Sequence, residues 1–174
     1  MKKYILYFAS IIILATSIIL PVCQAEDIGE QEKRSVAKAM FDKAVALVEK
    51  EGLHKAFLEF NTNKSEFVDG ATHVMVVSEQ GYIFAHSHQP ERIGISLVTQ
   101  KSADLRDPYT FQDALADMDK VGDKTGDIHW IWFNPETNER EKKRAFVKQI
   151  HDPDPGFVAF FYVMVSYFMP LDEN

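Results

Sequence analysis

Two imidazoles and a guanidinium follow closely after an apolar segment near the middle of the chain. The run from Tyr82 to Phe84 is typical of a strand, and His86 and His88 follow it before a break at Gln89-Pro90. Arg92 comes two residues after that proline. Such donors can hold a small anion, because hydrogen bonds between charged partners are the stronger ones. This stretch therefore indicates recognition of a ligand rather than catalysis.

Metal binding and hydrolysis find little support in the sequence. His86 and His88 would share one face of a strand, but the other histidines lie far from them in the chain. Zinc sites usually need four ligands with cysteine or carboxylate among them, and the single cysteine, Cys23, falls in a predicted leader. No serine has the flanking glycines of a nucleophile elbow. We therefore expect no metal, no cofactor and no catalytic residue.

The first 25 residues have the order of a secretory signal peptide. Lys2 and Lys3 precede an apolar run, and Cys23-Gln24-Ala25 resembles a cleavage site. The apolar run of about 19 residues is also long enough to cross a membrane, so a retained anchor is the alternative. We predict cleavage before Glu26 and export to the periplasm or the medium.

The composition of the remaining chain, residues 26–174, predicts one acidic domain. About 149 residues can bury a single hydrophobic core. Removing Lys2 and Lys3 changes the formal net charge from −7 to −9. An acidic surface repels nucleic acid and anionic lipid, and no basic patch with interleaved aromatic residues is visible. We expect no nucleic-acid partner.

The periodicity of the apolar residues predicts an α+β fold. Helical spacing covers a long first segment and three shorter ones, and alternating or continuous apolar runs cover five strands. The predicted helices are 30–51, a short piece after Gly52, a short turn near 92–97, and 109–118; the predicted strands are 72–78, 82–86, 127–133, 142–150 and 157–168. Hairpin-length turns between the later strands favour an antiparallel sheet.

Six short motifs follow one another along the chain: Phe60-Asn61, Ala85-His86, Gly94 to Leu97, Asp107-Pro108, Trp132 to Pro135, and Lys143. This ordered set resembles the single Cache domain (Cache type 2), an extracytoplasmic ligand-sensor family. Their order and spacing agree over most of the chain. The resemblance implies a PAS-like antiparallel sheet of five strands, with a long N-terminal helix and short helices on one face.

The resemblance also implies a ligand pocket between the central strands and the short helices. The expected ligand-binding residues are His86, Trp130, Trp132, Lys143, Asp107 and Phe146. Lys143 and imidazole donors would hold a carboxylate, the indoles would contact an apolar part of the ligand, and Asp107 would take the amine of an amino acid. His88 and Arg92 are expected at the rim. From the residues alone, the tryptophans can also be core residues, and Lys143 can lie on a solvated strand.

Two functions from different classes remain open at this point. The first is an exported sensor domain that binds a small carboxylate or an amino acid and signals through a membrane receptor. The second is a scaffold with a filled pocket that serves as a protein-interaction or structural module. The second is suggested by the last strand, which lacks glycine and carries three consecutive bulky residues, Phe160 to Tyr162. The oligomeric state is not predicted.

Overall fold

In the part of the chain that the structure describes, six antiparallel strands form one sheet. The computed structural model describes residues 22–98, 100, 110–122, 124–153 and 158–171. In chain order the elements are α1 (Val22–Glu51), α2 (Leu53–Thr62), α3 (Lys64–Phe67), β1 (Val68–Asp69), β2 (Thr72–Ser78), β3 (Ile83–His86), α4 (Phe111–Val121), β4 (Gly126–Phe133), β5 (Arg140–His151) and β6 (Phe160–Met169). A 3-10 turn over Pro90–Arg92 lies between β3 and α4.

The last strand of the chain lies in the middle of the sheet. The strand order is β1-β2-β6-β5-β4. Strand β3 also pairs with β2, on the same edge as β1 but with different residues. Nearly every residue of β6 is buried, as the continuous apolar run of its sequence predicts. The sequence predicts five strands, and the sixth is the two-residue β1, whose Val68 pairs with His73. The predicted α+β fold with an antiparallel sheet and a long N-terminal helix is confirmed.

Helices α1 and α2 cover one face of the sheet, which we call the helix face. Buried residues of α1 recur at three- and four-residue steps, among them Ala37, Phe41, Ala44 and Val48. Gly52 has a φ of 81°, which favours glycine and lets the chain turn from α1 into α2. Within the described residues, no helix is both long and apolar enough to cross a membrane.

Helix α4 covers part of the opposite face, which we call the pocket face. Thr110 begins α4 with a capping box, in which its side chain and that of Asp113 each accept a backbone N–H. Phe111 and Met118 point into a second buried cluster, and Phe111 packs edge-on against Trp130 with ring centroids 6.4 Å apart. The candidate site has two cavities on this face: residues of α4 line one of them, and Arg92 of the 3-10 turn lines both.

Candidate functional site

Lys143 lies near the centre of the pocket face. It is on β5, where it pairs with Trp130 of β4 on one side and with Phe168 of β6 on the other. Its Nζ atom lies 5.3 Å from the centroid of the Trp130 ring and 5.4 Å from that of Phe168. Cation–π contacts of this kind contribute about 0.5–2 kcal/mol, more where water is excluded. The neighbouring strands therefore hold the ammonium from both sides.

No carboxylate pairs with this ammonium among the residues that the structure describes. Lys143 is only 5% exposed. Burial, assisted by the positive charge of Arg92, lowers the pKa of its ammonium from the usual 10.5 to about 7. A buried cation without a partner costs several kcal/mol, so proteins rarely keep one without a use. The arrangement suits an anion that supplies the missing charge.

A small cavity lies on one side of Lys143, and we call it the indole cavity. It has a volume of about 30 Å³ and is lined by Trp130, Trp132, Phe111 and Arg92, among others. A single water needs roughly 10–15 Å³ of such volume, so the indole cavity can hold about two waters. It is too small for an organic acid of several carbon atoms.

A larger space, the histidine groove, is also lined by Lys143. It is open to solvent, has a volume of about 450 Å³ and is lined by His73, His86 and His88, among others. The groove shares Lys143, Arg92 and Trp132 with the indole cavity, so the two spaces meet at the two cations. Of the described residues that line either space, none is Asp or Glu. The groove is therefore large enough, and sufficiently positive, for a small organic anion.

The end of strand β3 fixes His86 as a hydrogen-bond donor to the groove. Its backbone N–H donates to Oδ1 of Asn61 at 3.0 Å, which brings together two of the sequence motifs. The backbone N–H of Gln89 donates to His86 Nδ1 at 3.1 Å. Burial, assisted by the charge of Lys143, lowers the pKa of His86 to about 3, so the ring is neutral near pH 7. Because Nδ1 accepts, the proton of the neutral ring resides on Nε2.

His73 is a residue of the site that the sequence interpretation placed elsewhere. Its ring stacks on that of His86, with centroids 4.7 Å apart and an interplanar angle of 12°. Burial holds the pKa of His73 well below 6.5. Strand alternation supplies a signal that could have found it, because His73 and Met75 are two positions apart on β2 and point to the same face. Met75 lines the indole cavity.

Arg92, expected at the rim, lines both spaces. The 3-10 turn over Pro90–Arg92 follows β3 directly and directs the guanidinium inward. Arg92 donates to Oε1 of Gln100 at 3.2 Å, and partial burial lowers the pKa of the guanidinium. The bond to a neutral amide leaves its charge available to a ligand. His88, also expected at the rim, lines the histidine groove.

The structure brings together four of the six expected ligand-binding residues. Trp130, Trp132 and Lys143 line the indole cavity, and His86 lines the histidine groove beside Lys143. Phe146 lies on the helix face, with its ring centroid 6.0 Å from that of Phe41. It is three positions after Lys143 on one strand, and an odd separation reverses the face. Asp107 lies outside the described residues.

The three consecutive bulky residues of β6 do not fill the site. Phe161 belongs to the helix-face cluster, and Tyr162 donates a hydrogen bond to the carboxylate of Asp119 on α4. Phe160 packs against Tyr162 with ring centroids 5.5 Å apart. None of the three lines the indole cavity or the histidine groove. They pair with the far end of β5, several residues from Lys143.

The histidines do not form a metal centre in the described part of the chain. No group of three or more His, Cys, Asp or Glu side chains is arranged there to hold a metal ion. His73 and His86 stack face to face, and Lys143 beside them would repel a cation. The site is therefore built from donors suited to an anion.

Comparison with known proteins identifies the fold. No protein-family model matches the chain. No curated protein sequence matches it either. Among solved structures, a methyl-accepting chemotaxis protein from Vibrio parahaemolyticus is similar, with a TM-score of 0.60 and 14% identity over 84% of this chain and 95% of that one.

Two further structures give the same result. A Cache chemosensory domain, described for its recognition of carboxylic acids, has a TM-score of 0.52 and 14% identity over 84% of this chain and 97% of that one. A periplasmic sensor domain of a chemotaxis protein has a TM-score of 0.52 and 14% identity over 86% and 98% of the two chains. The chain therefore has the fold of a single Cache-like sensor domain, as the ordered motifs indicate.

Proposed function

We propose that the protein is an extracytoplasmic sensor domain that binds a small carboxylate at Lys143. The observation that carries this proposal is the buried ammonium of Lys143, which has no carboxylate partner among the described residues. Bound carboxylate would supply the missing charge and would raise the pKa of Lys143 again. Arg92 and the Nε2–H of His86 would donate to the remaining carboxylate lone pairs.

The ligand enters from the histidine groove in this proposal. The groove is more than ten times larger than the indole cavity, and both reach Lys143. The indoles then form the inner wall, where they contact the apolar part of the ligand and exclude water from the ion pair. The carboxylic acid recognition described for one of the similar Cache domains supports the choice of ligand class.

An amino acid is the other ligand class that the motifs suggest, and it needs an acid to take its amine. We assign that role to Asp107, whose position in the sequence falls between those of Gln100 and Thr110, two described residues that line the indole cavity. The described lining residues supply two cations and no acid. This charge balance favours a simple anion over a zwitterion.

Signal transduction through a membrane receptor is the role that we propose for the occupied domain. The similar solved structures are sensor domains of chemotaxis proteins, and this chain covers nearly all of each. A leader over residues 1–25 would deliver the domain to the periplasm or the medium. We propose no catalytic residue, no cofactor and no nucleic-acid partner.

A thermal-shift screen tests the proposal. The purified protein is screened at about pH 6.5 against millimolar small carboxylates and amino acids, because a ligand that binds only the folded state raises the unfolding temperature. We expect stabilisation by at least one carboxylate, and no stabilisation of the Lys143→Met variant by the same ligand. Stabilisation of neither protein by any carboxylate, or equal stabilisation of both, would contradict the proposal.

A protein-interaction scaffold remains the second candidate, and the small volume of the indole cavity favours it. In that case Trp130, Trp132 and Phe111 would be core residues, and no small ligand would raise the unfolding temperature. The groove of about 450 Å³ beside Lys143 argues against a filled pocket. Saturable binding of one carboxylate would exclude this candidate.

A further inference from the structure

The two stacked imidazoles in the histidine groove present opposite hydrogen-bonding groups. His86 accepts the Gln89 N–H at Nδ1, so its Nε2 carries the proton and donates. His73 Nδ1 lies 2.7 Å from the carbonyl oxygen of Ala71, which can only accept, so Nδ1 donates and Nε2 can only accept. Backbone groups fix both tautomers. The residues that line the groove therefore include one ring acceptor, on His73, together with the donors of Lys143 and Arg92.

The acceptor on His73 has no donor in the described structure. Its Nε2 atom is buried and makes no hydrogen bond. Ser166 is the residue of β6 that pairs directly with His73, and its hydroxyl oxygen is also buried without a partner. Most buried polar groups in proteins are hydrogen-bonded, so two unpaired groups on facing residues call for an explanation. A group that reaches His73 through the groove would supply the missing donor.

A carboxylate alone cannot supply that donor, because an ionised carboxylate only accepts. An ammonium could donate, but it would lie beside the charges of Lys143 and Arg92, and no acid lines the groove among the described residues. A hydroxyl is neutral and can donate to His73 without adding charge to the groove, while the N–H of His86 stays with the carboxylate. A hydroxyl next to the carboxylate therefore fits all of these groups.

We infer that the preferred ligand is a hydroxycarboxylate whose carboxylate lies between Lys143 and Arg92 and whose hydroxyl donates to Nε2 of His73. This inference rests on the proposed function, because it requires a carboxylate at Lys143. It goes further by assigning His73 the selection of the ligand's second polar group. Carboxylates that lack the hydroxyl should bind more weakly than the hydroxycarboxylate. Amino acids with the same carbon skeleton should bind more weakly than either.

Propionate, lactate and alanine test the inference, because they share three carbons and a carboxylate and differ only in the group on the second carbon. Affinities are measured by calorimetric titration of the purified protein at about pH 6.5. We expect lactate to bind at least about fivefold more tightly than propionate, since the low end of the cost of one unpaired buried acceptor corresponds to that ratio. Alanine is expected to bind more weakly than lactate.

The variant His73→Phe separates selection from general binding. It keeps a flat ring beside His86 and removes the acceptor, so the ratio of lactate affinity to propionate affinity should fall below about threefold. His88→Phe is the matched control, because the His88 ring lies 5.7 Å from that of His73 in the same groove. That control should keep the preference.

The outcomes distinguish this inference from the proposed function. Equal affinities for lactate and propionate in the unmodified protein, or tighter binding of alanine, would overturn the inference and leave a carboxylate site in place. An equal loss of preference in the His73 and His88 variants would also overturn it. Binding of no carboxylate at all would remove the proposed function as well. If His73→Phe does not fold, the three affinities of the unmodified protein decide.

Discussion

The free energy of unfolding should rise with pH in the unmodified protein. Replacing Lys143 by methionine should remove that rise. The folded-state pKa of Lys143 is about 7, below the 10.5 of an ordinary lysine. Between these two values the unfolded chain binds more protons than the folded one, so the free energy of unfolding increases as the pH rises. Methionine has a similar length and no charge to bury, so the variant should lack this increase.

The expected magnitude follows from these two pKa values. With about 7 in the folded protein and 10.5 in the unfolded chain, Lys143 contributes a rise of about 2 kcal/mol between about pH 7.5 and about pH 9. His73 and His86 have lowered pKa values and are uncharged in this window in both states. The pKa values of Tyr162 and Tyr167 are raised, so both stay protonated in it. Lys143 therefore dominates the slope among these shifted groups.

Urea unfolding followed by circular dichroism measures this free energy at each pH. Lys148→Met is a matched control on the same strand, because the Lys148 ammonium is paired with Glu49 of α1. The control should keep the rise with pH, and Lys143→Met should lose it. An equal rise in both variants would refute the conclusion that the Lys143 ammonium is buried without a counter-ion from the described residues.

Four other results are expected. Carboxylate affinity should fall by up to about tenfold for each pH unit above 7 as the Lys143 ammonium loses its proton, which calorimetry at several pH values would show; a constant affinity would count against an ion pair at Lys143. Gly94→Ala should cost about 1 kcal/mol in urea unfolding because Gly94 has a φ of +84°. Gly81→Ala should cost more, because its φ is +83° and the added Cβ would also lie 2.7 Å from Cγ2 of Val98; equal costs would contradict this. Phe60→Ala should cost about 3–5 kcal/mol, because Phe60 is fully buried, and a loss below about 1 kcal/mol would show that it is not in the core. Intact-mass measurement of exported protein should give an N-terminus at Glu26, and retention of residues 1–25 would favour an anchor.

The sheet side of the site could be predicted because strand alternation and short turns are local signals. Trp130, Trp132 and Lys143 lie on consecutive strands joined by a short turn, so their common face follows from the register. The same alternation could have excluded Phe146, which is an odd number of positions from Lys143. The motifs at Asn61 and His86 also meet, through a hydrogen bond that no spacing in the chain reveals.

Strand alternation can place His73 on the pocket face, but the neighbours of the histidines depend on long-range pairing and could not be predicted. The last strand, β6, lies between β2 and β5, which places Ser166 opposite His73 although 93 positions separate them in the chain. The roles of the imidazoles then depend on single backbone groups, the carbonyl of Ala71 and the N–H of Gln89. The position of Arg92 depends on the 3-10 turn that follows β3. None of these features leaves a periodic signal in the sequence.

A nuclear magnetic resonance titration of the Lys143 ammonium tests most directly whether Lys143 has a lowered pKa and binds an anion. The signal is assigned by its absence from the spectrum of Lys143→Met, and its pH dependence is followed with and without a saturating carboxylate. We expect a midpoint near pH 7 in the free protein and an upward shift of at least about one unit when the carboxylate is bound. A midpoint near the ordinary lysine value in the free protein, or one that no carboxylate moves, would contradict the proposed site.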